Sequence, residues 1–308
     1  MIEIFMRTVR DENLIRVNNI QEGCWINIEN PTNFEINEMS ERLNIQKDWF
    51  NSCIDLDEKS RVEQDNDEIL IIVRVPFIDK DGDVITMPVG IISTRKVILT
   101  VSTHSNFVTE DMKSGKIKFY TTQKTRFFLK FFERMNYYYD KMIDELERKA
   151  ENIEKLLQKS QSNREILELL NLQKVLIYFS SAIIANQTVF DKISTGKVLK
   201  LYEEDKGLVD DIILTNKEVS ESIRILRDVL SNTLDAYASI ISNNLNIVMK
   251  FLTSVSIIIS IPAFIAALYG MNVKLPFSEN IYAFYLVLLA SFFVSILLYL
   301  LFKKRNWI

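Results

Sequence analysis

Five uncharged side chains near the C-terminal end of the chain could line a path for an ion. They recur at steps of three and four residues, which places them on one face of an α-helix. They are Asn246, Met249, Leu252, Ser256 and Ser260. Amide and hydroxyl oxygens accept hydrogen bonds from water, whereas a site that strips a divalent cation of its water usually has carboxylates. Since the apolar stretch that contains Leu252, Ser256 and Ser260 has no charge, the pattern favours a path for a hydrated cation.

The other reactive residues are few and argue against several classes of function. His104 is the single histidine, which excludes the usual cluster of zinc ligands. Cys24 and Cys53 are expected to be reduced thiols. The sequence has no glycine-rich phosphate loop, and its net charge of -4 gives no reason to expect nucleic acid. We predict a chain that is not an enzyme, with no nucleotide or organic cofactor and no nucleic-acid partner.

Two long apolar stretches, Phe251 to Tyr269 and Ile281 to Phe302, contain no charged side chain. Each is long enough to cross a bilayer core of ~30 Å. The alternative is a helical hairpin buried in a soluble core, but apolar core helices are usually shorter than ~18 residues. We therefore predict transmembrane helices at 251–269 and 281–302, in a multi-pass protein of the cell membrane.

Basic residues indicate the orientation of these helices. Lys250 precedes the first, and Lys303, Lys304 and Arg305 follow the second. Both ends therefore face the cytosol, since cytoplasmic flanks are rich in Lys and Arg. The N-terminus has no secretory signal, which agrees with a cytoplasmic location. The loop 270–280 then lies outside, and 303–308 is a basic cytosolic tail.

The N-terminal residues 1–120 have the composition of an α+β domain. Glu68 to Ile78 and Val84 to Thr103 are rich in Val, Ile and Thr, as strands are, and Asp81-Gly82 between them predicts a hairpin turn. Asn33 to Ile45 is predicted to be a helix. An EF-hand at the turn is excluded because its glycine falls at the fourth position instead of the sixth.

Helical periodicity replaces strand composition from about Lys124 onward. Residues 121–206 are predicted to form a helical hairpin region, with its second helix from Arg164 to Asp191. Residues 207–269 are predicted to form one long stalk helix that continues into the first transmembrane helix. The apolar seams favour bundle or coiled-coil packing. Because two spans cannot enclose an aqueous path, a channel would need several copies around an axis.

The tetrapeptide Tyr269-Gly270-Met271-Asn272 ends the first span and resembles the YGMN signature of the CorA metal-ion transporter family. Its context is similar too: a long helix before it, a short loop, a second span and the ending Trp307-Ile308. The stretch from Asp235 to Asn272 aligns with family members without a gap. Trp25-Ile26-Asn27 and Arg61-Val62-Glu63 look similar to stretches of the family's N-terminal domain.

The resemblance implies a funnel-shaped homopentamer through which magnesium flows inward passively. Its partners would be further copies of itself, the lipid bilayer and divalent metal ions. Gly270, Met271 and Asn272 would form the selectivity filter. Met249 and Leu252 match the family's hydrophobic constriction, and Asn246 matches the polar ring below it. Gly270 is expected to permit a tight backbone turn at the end of the helix.

The resemblance also implies that cytosolic Mg²⁺ bound between subunits keeps the channel closed. Asp211 matches the acidic sensor residue of the family, with Asp210 beside it. The partner position falls on Ser52, and Asp55 and Asp57 lie close enough in sequence to replace it. A solvated acidic face is the ordinary alternative for such residues.

Three residues depart from the family pattern near the outer mouth. Ser260 stands at an apolar pore position, the span's proline is displaced to Pro262, and Lys274 occupies a place where an acidic residue is expected. Glu279 is left as the only carboxylate of the outer loop. Two rival functions stay open: transport of zinc, cobalt or nickel by the same architecture, and a membrane-anchored coiled-coil scaffold.

Overall fold

A computed structural model describes residues 1–80, 82–160, 163–273 and 281–308. The chain divides into two compact units, Met1–Ser231 and Asn232–Ile308. The finer domain boundaries predicted from the sequence, such as 1–120 and 121–206, remain a prediction. The predicted α/β domain followed by long helices is confirmed.

Seven strands of the described residues form one mixed sheet in the order β2-β1-β3-β7-β6-β5-β4. All neighbouring strands are antiparallel except β3 and β7, which run parallel with Trp25 opposite Ile98. The strands are β1 Ile2–Met6, β2 Ile15–Arg16, β3 Trp25–Glu29, β4 Arg61–Asp65, β5 Glu68–Ile78, β6 Val84–Ser93 and β7 Ile98–Ser102.

Two short helices cover one face of the sheet. Helix α1 (Asn33–Leu43) begins with a capping box in which Thr32 and Glu35 satisfy each other's backbone N–H groups. Helix α2 (Lys47–Ile54) buries Trp49, Phe50 and Cys53 against the strands. A third short helix, α3 (Phe107–Lys113), follows the last strand.

Long helices cover the other face. They are α4 (Lys124–Ser160) and α5 (Asn163–Ser194). The first part of α6 (Glu203–Tyr269) is hydrogen-bonded to α5, where the Asn216 amide donates to the Ile183 carbonyl oxygen at 3.3 Å. The Trp25 ring lies between Phe119 and Phe127, with ring centroids 5.7 and 5.5 Å away. Because both faces are covered, the central strands are apolar on both sides, as Leu70 to Val73 are.

The second unit contains the rest of α6 and α7 (Ala283–Lys304). Helix α6 has 67 residues, about 100 Å at ~1.5 Å per residue. By length and composition, three helices of the described residues could cross a membrane: α5, α6 and α7.

The element boundaries show where the sequence-based predictions were accurate. The predicted strand Glu68–Ile78 is confirmed as β5, but the stretch from Val84 to Thr103 is two strands joined by a turn. The predicted hairpin is confirmed by the register of Ile78 with Val84 and by Gly82 at φ +85°. Asp81 lies outside the described residues. Helix α1 ends at Leu43, before the predicted end, because Asn44 adopts a left-handed conformation at φ 56°.

Candidate ion path

The five residues predicted to line a path all lie on α6 and are exposed in the single chain: Asn246, Met249, Leu252, Ser256 and Ser260. Exposure of Met249 and Leu252 means that no described residue of their own unit covers this face. In a membrane helix, that face must meet lipid, another copy or water.

Another face of α6 packs against α7. Ser254 is fully buried, and the half-buried residues that follow it, Ile258, Ile261 and Ile265, recur at helical spacing. Residues two positions apart on a helix are rotated by about 200° around its axis, so they lie on nearly opposite faces. Ser256 therefore points away from Ser254 and from α7, so packing of the two helices leaves the candidate path free.

The serines on this helix hydrogen-bond to their own backbone. The Ser256 hydroxyl donates to the Leu252 carbonyl oxygen at 2.9 Å, and Ser254 does the same to Lys250 at 2.7 Å. A hydroxyl whose hydrogen is committed still has lone pairs that accept. Water bound to a cation points its hydrogens outward, so Ser256 offers the acceptor that a hydrated cation requires.

Pro262 lies inside α6 and leaves the carbonyl of Ile258 without its usual helical donor. The Ser295 hydroxyl of α7 reaches that carbonyl oxygen at 3.5 Å, while its shorter contact is 3.0 Å to the Ser291 carbonyl. A second helix thus supplies a polar contact at the point where proline removes one. Sequence reasoning missed this role of Ser295, although a serine in an apolar span is a visible signal.

The tetrapeptide that resembles the family signature begins at the last residue of α6. The Gly270 N–H donates to the carbonyl oxygens of Ala266 at 3.0 Å and Ala267 at 3.2 Å, and Asn272 is exposed just beyond. The chain thus presents the Asn272 side chain at the end of the helix that carries the candidate path.

The prediction that glycine at position 270 permits a tight backbone turn is wrong for a single chain. A Cβ atom added there would lie 3.5 Å from the carbonyl oxygens of Ala266 and Ala267, which is ordinary contact, and the backbone φ is not in the left-handed region. The described residues therefore give no steric or backbone reason for glycine at position 270.

The candidate regulatory residues do not meet in a metal cluster within one chain. Asp210 and Asp211 are exposed on α6, and Asp55 and Asp57 are exposed after α2. Among the described residues, no group of three or more His, Cys, Asp or Glu side chains could hold a metal ion.

The segment that carries Asp55 and Asp57 is nonetheless held by hydrogen bonds and an ion pair. Asp55 Oδ1 accepts a hydrogen bond from the Asp57 N–H at 3.1 Å. Glu58 forms an ion pair with Arg61, and Ser52 Oγ accepts from the same guanidinium at 3.2 Å. Since Arg61 already pairs with Glu58 and donates to Ser52, the carboxylates of this segment that remain for a cation are those of Asp55 and Asp57.

Two predicted outer-loop residues, Lys274 and Glu279, lie outside the described residues. At the other end of α7, Lys303 and Lys304 occupy the last turn, followed by Arg305. Trp307 stacks on Phe302 with ring centroids 5.6 Å apart. This aromatic pair beside a basic cluster is typical of a helix end at a membrane interface.

Comparison with known proteins finds similarity over most of the chain. A model of the family described as CorA-like Mg2+ transporter protein matches residues 21–304. The cobalt/magnesium transport protein CorA of Methanocaldococcus jannaschii is 28% identical over 300 residues, covering 92% of this chain and 91% of that protein. The Thermotoga maritima protein of the same name is 33% identical over 92 residues, 30% of this chain and 26% of that protein.

A solved structure agrees over the full length. The complete structure of the CorA magnesium transporter from Methanocaldococcus jannaschii superposes with a TM-score of 0.87 and 23% identity. The match covers 100% of this chain and 99% of that one. At this identity, the likeness establishes the fold.

Proposed function

This chain belongs to the CorA-like Mg2+ transporter family, and from that premise we propose that it is a passive channel for hydrated Mg²⁺. Membership confirms the predicted resemblance to the family, and it confirms that the chain is not an enzyme. The coarser function, transport of divalent metal ions across a membrane, follows from the family. The ion, its direction and its control are the proposal.

One observation supports the proposal most strongly. The face of α6 that carries Asn246, Ser256 and Ser260 is exposed and turned away from α7, and no charge occurs in the sequence between Lys250 and Lys274. A ring of these faces would present acceptors to the water shell of an ion without binding the ion so tightly that it stays. The apolar residues Met249 and Leu252 would close the path by dewetting.

We propose two spans in each chain, α7 and the apolar end of α6. Helix α5 is also long and apolar enough, but it buries Leu176, Phe179 and Ile183 in the packing of the first unit. Those side chains account for its composition without a membrane. The N- and C-termini are proposed to be cytoplasmic, because Lys303 and Lys304 end α7.

The proposed assembly is a funnel-shaped homopentamer. Assembly is required because one chain offers only one α6 face, and closed rings are the usual form of identical subunits around an axis. Asn272 of each copy would lie at the outer mouth, with Gly270 and Met271 forming the rest of the selectivity filter.

Control by cytosolic Mg²⁺ is proposed to involve Asp210 and Asp211 of one copy with Asp55 and Asp57 of another. Each pair alone is exposed and lacks enough ligands, as expected for a site shared between copies. Bound Mg²⁺ would offset the repulsion of the carboxylates and favour the closed arrangement.

The alternative cargo is Co²⁺, supported by the relatives named as cobalt/magnesium transport proteins. Ni²⁺ and Zn²⁺ also fit a path that passes hydrated ions. No histidine or cysteine occurs in either span to favour the softer metals. We therefore place Mg²⁺ first.

The test is ion flux into liposomes that contain only this protein. Mg²⁺, Co²⁺, Ni²⁺ and Zn²⁺ are offered separately at equal concentration, and internal dyes report each ion. Flux of Mg²⁺ that follows its gradient without nucleotide supports a passive magnesium channel. Flux of Co²⁺ with none of Mg²⁺ replaces the proposed cargo, and no flux of any ion from assembled protein contradicts channel function.

A further inference from the structure

Arg74 is a charged residue inside the largely apolar strand β5, and its guanidinium holds the segment Asp55–Ser60. Nη1 donates to the carbonyl oxygens of Leu56 at 2.9 Å and Glu58 at 2.7 Å. Nη2 and Nε donate to Thr86 of the neighbouring strand, at 2.7 and 3.1 Å. The two carbonyls lie on either side of Asp57, so Arg74 fixes the backbone at that residue.

The backbone of Arg74 is bound in turn by two helices. Asn186 of α5 accepts from the Arg74 N–H at 3.0 Å and donates to its carbonyl oxygen at 2.9 Å. Tyr139 of α4 donates to the same carbonyl at 2.9 Å. The pairing of β4 with β5 ends where Arg61 lies opposite Ile72. Arg74 is two residues beyond Ile72, and the Asn186 amide takes the place of a neighbouring strand there.

Asn186 also holds the segment directly. The Ser60 hydroxyl donates to Asn186 Oδ1 at 2.7 Å, and both side chains are buried. The segment Asp55–Ser60 is therefore connected to α5 twice, once through Arg74 and once through Ser60. A shift of Asp57 cannot occur without a change in these contacts.

Helix α4 connects the same junction to the second pair of candidate ligands. Asn136, one turn before Tyr139, donates to the carbonyl oxygen of Ile212 at 2.9 Å. Ile212 is the buried residue next to Asp211 on α6. A chain of hydrogen bonds and one helix thus runs from the segment of Asp57 to the turn of Asp211.

We infer that Arg74 is the positioning residue for cation sensing, which sets the geometry of Asp55 and Asp57 and links it to α4 and α5. The inference rests on the proposed control by cytosolic Mg²⁺. Arg74 touches no ion itself. It acts through the backbone of Leu56 and Glu58. The hydrogen bonds described above connect Asp55 and Asp57 with Asp210 and Asp211 of the same subunit. In a ring, these two pairs of carboxylates would lie at two different subunit interfaces.

The test uses Arg74→Lys in the full-length protein in liposomes. Lysine keeps the charge but carries three N–H donors on one nitrogen, so it cannot satisfy the four acceptors that Arg74 reaches on Leu56, Glu58 and Thr86. We measure the Mg²⁺ concentration on the cytosolic side that halves flux, with each variant normalised to its own uninhibited flux. Loss of an outer-shell contact lowers metal affinity about 10-fold at least, so this concentration should rise about 10-fold.

The matched control is Arg95→Lys. Arg95 is exposed and pairs with Asp67 on a hairpin, so the half-inhibitory concentration should stay at the wild-type value. Thr86→Val removes only the side-chain acceptor of Arg74 Nε and is measured in parallel. It should raise the concentration by a smaller factor, and it replaces Arg74→Lys if that variant does not assemble.

A double-mutant cycle separates this inference from the proposed function. If Arg74 acts by placing the carboxylates, Arg74→Lys adds nothing in an Asp55→Asn, Asp57→Asn background. An unchanged half-inhibitory concentration in the assembled Arg74 or Thr86 variant, or additive effects in the cycle, overturns the inference while the carboxylates keep their role. If replacing Asp55 and Asp57 itself has no effect, the proposed ligands are wrong and the inference falls with them.

Discussion

A Cβ atom added at Gly90 would lie 1.9 Å from the Sγ atom of Cys53 and 2.8 Å from its Cβ. Strand β6 therefore passes directly beneath helix α2, and only glycine allows that approach. Cys53 is fully buried, and burial raises the pKa of its thiol, so it serves as an apolar packing residue. This contact holds α2, and with it the start of the Asp55–Ser60 segment, against the sheet.

We expect Gly90→Ala to destabilise the folded protein by about 3 kcal/mol, since an overpacked core forces neighbouring backbone apart. Denaturant unfolding of the purified full-length protein measures the change. Gly207→Ala is the control, because a Cβ atom there meets nothing within 4 Å and helix α6 continues through it. That variant should be as stable as wild type or more stable, by up to about 1 kcal/mol.

A partial rescue distinguishes a steric cause from loss of glycine flexibility. Cys53→Ala combined with Gly90→Ala removes the 1.9 Å contact but keeps the 2.8 Å one. The double variant should recover part of the lost stability. If Gly90→Ala is as stable as wild type, the close approach of β6 and α2 is wrong.

Asp111 should contribute stability that disappears in acid. Its side chain is 3% exposed and accepts hydrogen bonds from Lys116 at 2.7 Å, from Arg134 at 2.8 Å and from Tyr138. Burial alone would raise the pKa of Asp111, but hydrogen bonds from these three groups outweigh it and the pKa is lowered. A carboxyl with a lowered folded pKa stabilises above its unfolded pKa of ~3.9 and loses that effect as the pH falls further.

Asp111→Asn should therefore cost about 2 kcal/mol at neutral pH, because the partly exposed Arg134 and the exposed Lys116 lose a charged hydrogen-bond partner. The difference in unfolding free energy between wild type and variant should shrink when the pH falls from about 5 to 3. Glu221→Gln is the control, because Glu221 is exposed and pairs only with Arg224 on its own helix. A difference that stays constant with pH would exclude ionised Asp111 as its source.

Replacement of Asp210 and Asp211 by Asn should weaken closure of the channel by cytosolic Mg²⁺. Both carboxylates are exposed, so the folded chain does not depend on them. Removal of both should raise the half-inhibitory concentration about 10-fold or more, because neutral amides bind Mg²⁺ much less well than carboxylates do. Liposome flux measures it, with Glu218→Gln, another exposed acid of α6, as the control. Identical inhibition in the double variant would make these residues ordinary surface charge.

The sequence indicated helix α7 and strand β5 well because each carries its own signal. Helix α7 was predicted from 281 to 302 and is found at Ala283–Lys304. Helix α6 begins before the predicted Gly207 because acidic residues fill its first turn and Asp205 Oδ2 accepts from the Tyr202 N–H at 3.3 Å. Glycine inside a long helix lowers stability but does not end the helix.

Contacts between distant parts of the chain were not predictable in this way. The parallel pairing of β3 with β7 joins residues about seventy positions apart, and no local pattern encodes it. Arg74, Tyr139 and Asn186 also meet only in the folded chain. Their signal was faint: an arginine in the middle of the strand EILIIVRVPFI and an amide after the apolar stretch SSAIIA of α5. A polar side chain that folding buries at such a place needs a hydrogen-bond partner.

Asn272 gives the sharpest prediction for the proposed channel. It is exposed beyond the end of α6, so Asn272→Ala should leave folding and assembly intact. The variant removes an oxygen that accepts from the ion's water, worth about 1 kcal/mol in each copy. With several copies, flux should fall by about 10-fold or more, since 1.4 kcal/mol is a factor of ten. Val273→Ala, an exposed apolar neighbour, is the control and should conduct normally.

Asn272→Asp tests whether neutrality of the filter matters. The substitution keeps the size of the side chain but adds one charge per copy, so the carboxylates repel one another and hold a divalent cation more tightly. The added charge would favour entry of the ion but slow its release, and conduction requires both entry and release. We therefore expect altered selectivity or slower Mg²⁺ flux in liposomes, with oligomer mass checked in parallel. If Asn272→Ala and Asn272→Asp both assemble and conduct Mg²⁺ at the wild-type rate, Asn272 is not the filter and the ion path must lie elsewhere.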